Sequence, residues 1–306
     1  MKIKLYAGLL VLIGLLSACS TNSNKSYSFD EVKNSKINHL HGMGYINGGA
    51  ELVISTHDGL YEYDKDGWKE ANSEKHDYMG FQPIREGFFS SGHPEIGSKY
   101  KNPLGLVKST DRGASFDQLA FYGEIDFHYL AAGYDSNAIY VLNETTTKEM
   151  STGLHYSADE GTTWKESSMN EFNSEFISNL AAHPSRKEMM AIGSKDGVFL
   201  SEDYGEKFSL FNEAKMVTYV TLTEAGGLYA NLENETVKLT SFEFGIDQEI
   251  EIQLPKKQQI EPIAFIAVNP ENQKELVIAT YNNDIYLTKD EGVNWETLAE
   301  SGELKK

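Results

Sequence analysis

The sequence predicts an all-β fold, a six-bladed β-propeller built from four-stranded antiparallel blades. Two observations carry that prediction. A short turn motif recurs at a near-constant interval, and short alternating strands lie ahead of each copy. The clear copies are Ser109–Phe116, Ser157–Trp164, Ser201–Phe208 and Thr288–Trp295, which share the template S/T-x-D-x-G-x-x-W/F. Their starts differ by 48, 44 and 87 residues. The last interval is close to two steps, so a degenerate unit is expected between, around Gly227–Gly245. Gly59–Trp68 reads as a further worn unit at the front. Residues 38–300 then hold six units of roughly 45 residues, a period typical of propellers.

Each element of the template has a local reason. The carboxylate of Asp111, Asp159, Asp203 or Asp290 can accept backbone N–H groups within a tight turn. Glycine supplies the backbone freedom such a turn requires. The aromatic residue packs between sheets. Segments such as Glu51–Ser55 and Glu275–Ala279 alternate as strands do. Each unit therefore reads as strands A to D with the Asp turn between C and D, and a ring of such units leaves only short sheet edges.

The amino terminus is organised differently. Lys2 and Lys4 precede an apolar run, Leu5–Leu16, that closes on Leu16-Ser17-Ala18-Cys19. This is a charged, then apolar, then small-residue pattern, short for a membrane-spanning helix. It resembles a bacterial lipoprotein signal. That resemblance implies removal of residues 1–18, lipid on Cys19, and a mature protein anchored at the extracytoplasmic face of the cell membrane. The alternative is an ordinary secreted protein with an incidental cysteine. Residues 19–37 read as a flexible linker, because their small polar residues bury little apolar surface. Residues 301–306 read as a tail. Cys19 is the single cysteine, so disulfides do not staple the fold and it must rest on a hydrophobic core.

The formal charge is −19, and loss of Lys2 and Lys4 with the leader takes it to −21. Such a chain repels nucleic acid and anionic lipid, and attracts cations or basic partners. No basic patch with interleaved aromatics is present, which excludes a nucleic-acid partner. No Walker loop, dinucleotide fingerprint, HExxH or G-x-S-x-G is present either. A monomer is expected.

The repeated turns resemble the Asp-box (BNR) repeat family, over roughly residues 38–298. That family includes sialidases, other glycosidases, sortilin-type ectodomains and photosystem assembly factors. The resemblance implies a structural role for the four motif aspartates and a ligand-binding top face, opposite the Asp turns.

Sorting residues by face narrows the function. A sialidase holds its substrate carboxylate with three arginines. This chain has three in all, Arg85, Arg112 and Arg186, and each maps to the bottom. Six of the eight histidines map to the top of blades 1–3: His39, His41, His57, His76, His93 and His128. Met79 starts strand A of blade 2. His39, His41 and Met43 alternate and so share a face if extended. Neutral imidazole binds zinc and copper, and a thioether favours Cu(I). A metal site using His39, His41, His57, His93 and His128, with copper or zinc as the ion, is one expectation; loop histidines serving only as hydrogen-bonding groups are its alternative. Glycoside hydrolysis is another, since it needs two flanking carboxylates. Asp58, Asp77 and Asp126 are the candidates, with Tyr78 or Phe127 as a stacking surface. The leading expectation is a membrane-anchored binding protein whose top face over blades 1–3 takes a small ligand, a metal ion or a protein partner. A glycosidase acting on envelope or environmental glycan, and an assembly scaffold for a membrane complex, are the alternatives.

Overall fold

A computed structural model describes residues 26–33, 36–246, 248–257 and 261–305. Within them the chain forms six antiparallel sheets, each built from consecutive strands, in a ring. The innermost strands are Leu40–Ile46, Gln82–Ile84, Tyr129–Ala132, Ile177–Ala182, Val217–Leu222 and Ile263–Asn269. Neighbouring innermost strands contact one another around the ring, and Leu40–Ile46 meets Ile263–Asn269 to close it. The architecture is the six-bladed propeller the repeat predicts, with the two worn units forming blades 1 and 5. The lipidation and signal-peptide expectations at Cys19 and residues 1–18 lie outside the described residues.

The recurring turns hold themselves with side-chain hydrogen bonds. In blade 3 the Ser157 hydroxyl donates to Asp159 Oδ1 at 2.8 Å and accepts the Gly161 N–H at 2.8 Å. Asp159 Oδ1 also accepts the Thr163 N–H at 2.8 Å. The same three bonds recur at Ser109-Asp111-Gly113-Ser115. They recur again at Ser201-Asp203-Gly205-Lys207 and Thr288-Asp290-Gly292-Asn294. Because backbone donors point at it, the Asp159 carboxyl is held below its ordinary value. The closing aromatics pack as expected: Phe116 meets Tyr78 and Phe88, and Trp164 meets Phe121 and Phe127.

Apolar contact between blades supplies the core. Blade 1 and blade 6 share one cluster, in which Leu52, Ile54, Val277 and Leu287 are buried together. Two ends of the chain differ from the sequence reading. Phe29–Glu31, read as linker, pairs with Gly67–Ala71 as a fifth strand of blade 1. Glu303–Leu304, read as tail, pairs with Glu296–Glu300 as a fifth strand of blade 6. Ile37 donates its N–H to Gly302 O at 2.9 Å, so the two ends meet where the ring closes. Tyr27 and Phe29 pack against the buried cluster of Ile46, Val53, Leu60 and Phe88, which anchors a strand among otherwise polar residues.

Candidate metal centre

The innermost strand of blade 1 is bulged. Leu40 pairs with Thr56 and Gly42 with Ser55, which leaves His41 as the extra residue. A bulge reverses the alternation beyond it. Leu40 and Met43, three apart, accordingly share the core cluster between blades 1 and 6. Met43 is buried and does not share a face with His41, which corrects the expectation drawn from an extended strand. The same irregularity recurs at Ser178, Thr218 and Ala264, in blades 4, 5 and 6. These residues, with His41, line one cavity of 420 Å³ at the centre of the ring. Met79 and His128, which hold the matching place in blades 2 and 3, line it too. Every blade thus contributes to its lining.

His39, His41 and His57 come together. Their ligand nitrogens all lie within 4.8 Å of one another. His41 Nε2 is 3.1 Å from His57 Nδ1. Asp77 completes the group: its Oδ2 is 2.9 Å from His57 Nδ1, and its Oδ1 is 3.1 Å from His41 Nε2. One proton on His57 Nδ1 can serve only one of its two short contacts, because a neutral imidazole carries a single N–H. A shared cation satisfies all of them. Metal–nitrogen bonds of roughly 2.0–2.1 Å place adjacent ligand atoms roughly 3.0–3.4 Å apart. The contacts among His41, His57 and Asp77, at 2.9–3.1 Å, are close to that, and His39 lies within 4.8 Å of both imidazoles.

Charge acts in the same direction. Desolvation in the cleft, together with the His41 and His57 rings, holds the His39 imidazole below its ordinary value, so it stays neutral and able to ligate. Burial pushes the Asp77 carboxyl up, but bonds from His41 and His57 outweigh this and leave it below the usual range. Asp77 itself is held by the loop carrying His93. The two residues exchange backbone hydrogen bonds, each at 2.9 Å. Gly92, at φ +118°, permits this approach, since a Cβ there would sit 2.0 Å from Asp77 O.

The other predicted histidines do not join that group. His93 and His128 meet at Asp126, on the blade 2–3 side, so the single five-histidine set expected from sequence divides in two. His76 is fully buried among Tyr78, Tyr100 and Phe116, with Nε2 3.0 Å from Glu74.

The carboxylates expected for glycoside hydrolysis are also divided. Asp77 and Asp126 each face a pair of histidines, and Asp58 is exposed in the turn beside His57. Tyr78 and Phe127 are fully buried and cannot stack on a sugar, which corrects that expectation. Tyr129 and Tyr281 line the cavity instead. Sequence reading passed over both, and no local motif marks either one. The arginines are dispersed. Arg85 pairs with Asp135 and Glu271, Arg112 with Glu62, and Arg186 with Glu202. None lines the histidine cavity.

No family model matches the chain, and no curated protein does. Solved structures do match. The GH74 enzyme of Niastella koreensis superposes with a TM-score of 0.56 at 14% identity, over 89% of this chain and 47% of its own. The present chain thus spans about half the length of that enzyme. YCF48 bound to D1 peptide gives a TM-score of 0.51 at 14% identity, over 89% of this chain and 84% of its own. A chain of the nidogen/laminin complex gives 0.59 at 8% identity, over 83% and 95%. At these identities the likeness shows the β-propeller fold alone.

Proposed function

We propose that this protein is a metal-binding β-propeller, which takes a copper or zinc ion at His39, His41 and His57 with Asp77 as the fourth group. The observation that carries this reading is the convergence of three imidazoles within 4.8 Å of one another, with Asp77 2.9–3.1 Å from two of them. Imidazole suits both ions, and Met79 on the cavity rim favours copper in its lower oxidation state. The acidic surface draws cations toward the site. The repeated Ser/Thr-Asp-Gly turns support placing the chain among Asp-box propellers. The leader and Cys19 support a lipid-anchored, extracytoplasmic location.

Metal analysis of tag-free protein, followed by titration with Zn(II), Cu(II) and Cu(I), tests the proposal. The expected result is one tight equivalent that His41→Ala and His57→Ala each weaken at least tenfold. No uptake of any of the three ions overturns it.

A peptide or protein partner on the same face is the second reading. It is supported by the fold shared with YCF48 bound to D1 peptide and with the nidogen/laminin complex. Copurification with a partner that survives His41→Ala and His128→Ala favours it. Glycan turnover lost in Asp58→Asn, Asp77→Asn or Asp126→Asn, with the fold kept, favours the glycosidase alternative.

A further inference from the structure

We infer that the same face carries a second, separate cation site, formed by His93, Asp126 and His128, for a first-row transition metal ion bound by two imidazoles and a carboxylate. It does not rest on the first site, because no residue is common to the two.

One carboxylate oxygen is the centre of this cluster. Asp126 Oδ2 lies 3.3 Å from His93 Nε2 and 3.1 Å from His128 Nε2. The ring orientation of His93 makes the contact informative. Its Nδ1 lies 2.6 Å from Asn102 Oδ1. An amide oxygen only accepts, so Nδ1 carries the proton and donates. In the neutral ring Nε2 then presents a lone pair to a carboxylate lone pair, an arrangement that repels unless something positive lies between. An outer partner that fixes the tautomer and aims the free nitrogen is the usual arrangement behind a metal-bound histidine. His128 repeats the pattern more loosely, with Nδ1 3.5 Å from Glu144 Oε2.

The carboxylate is also held. Ser91 Oγ lies 3.4 Å from Asp126 Oδ1 and accepts the Phe127 N–H at 2.9 Å. Asp126 is therefore mostly buried, while the two imidazoles are 45% and 48% exposed. Two histidines with one carboxylate leave open positions on the metal, unlike a closed structural site.

The rival is a metal-free cluster, in which a protonated His93 or a flipped Asn102 amide lets Nε2 donate to Asp126. Zinc titration of tag-free protein at pH 7.5 separates the two, with bound metal counted after dialysis. The expected stoichiometry includes one equivalent lost in the double variant His93→Ala/His128→Ala and in Asp126→Asn. That equivalent persists in His41→Ala/His57→Ala, which disables only the first site. In NMR spectra of the wild type, the ring protons of His93 and His128 shift together on zinc addition. Unchanged zinc uptake in a folded His93→Ala/His128→Ala protein overturns the inference. So does loss of all zinc from a folded His41→Ala/His57→Ala protein, whereas loss of the other equivalent alone from that variant leaves both proposals standing. If Asp126→Asn fails to fold, the histidine double variant, altered only at half-exposed side chains, decides the matter.

Discussion

His57 Nδ1 stands 2.9 Å from Asp77 Oδ2, and this contact ties the outer turn of blade 1 to the connection that leads into blade 2. Asp77 thereby touches both His41 and His57.

Replacing that carboxylate with an amide of equal size tests its role. Asp77→Asn is expected to weaken metal affinity by about 10-fold or more, since loss of a group that only supports a ligand already costs about 10–100-fold. Isothermal titration with zinc, alongside circular dichroism to confirm the fold, reads the effect. Unaltered affinity would show that Asp77 stands outside the site.

Gly92 is expected to tolerate no side chain. Gly92→Ala combines a left-handed backbone with a Cβ 2.0 Å from Asp77 O. The substitution should destabilise the protein by about 2–4 kcal/mol. It should also displace Asp77, so metal affinity falls with it. Urea unfolding and zinc titration on the same variant report both.

Ser157→Ala removes the hydroxyl that satisfies the buried Gly161 N–H. An unsatisfied buried donor costs about 1–3 kcal/mol. Ser109→Ala and Ser201→Ala should behave alike, because each hydroxyl bonds its glycine N–H at the same 2.8 Å. Thr288→Ser, which keeps the hydroxyl, should cost much less than Thr288→Ala. Chemical denaturation of the five variants tests the equivalence of the turns.

Acid should weaken the fold in two stages. Burial, partly opposed by Glu74, holds His76 below the ordinary imidazole value of 6.5. Burial and Arg186 hold His183 down as well. The unfolded chain therefore takes up protons that the folded one resists, and stability falls as pH drops below 6.5. A second loss follows as pH falls from the ordinary carboxyl value of 3.8 through the lower folded values of Asp77 and Asp111. Thermal melts from pH 7.5 to 5 should show the first stage, flattened in His76→Gln. A melting temperature constant over that range would contradict it.

The propeller was legible in the chain because its signal is local. A hydroxyl, a carboxylate and a glycine within five residues close a turn with their own hydrogen bonds, and four copies in register reveal both the period and the blade number. Strand polarity set by the same turns brings the starts of the innermost strands and the B–C turns to one end of the ring, and His39, His41 and His128 line the cavity there. The grouping of those histidines did not follow. The bulge at His41 is not marked in the local sequence, and it sends Met43 into the core shared with blade 6. The pairing of Asp77 with His93 depends on a loop that Gly92 lets approach. The choice of Asp77 by one pair of imidazoles and Asp126 by another depends on both. Sequence alone determined the ring; tertiary packing decided which imidazoles meet, because interatomic distances of about 3 Å are set by contacts between segments far apart in the chain.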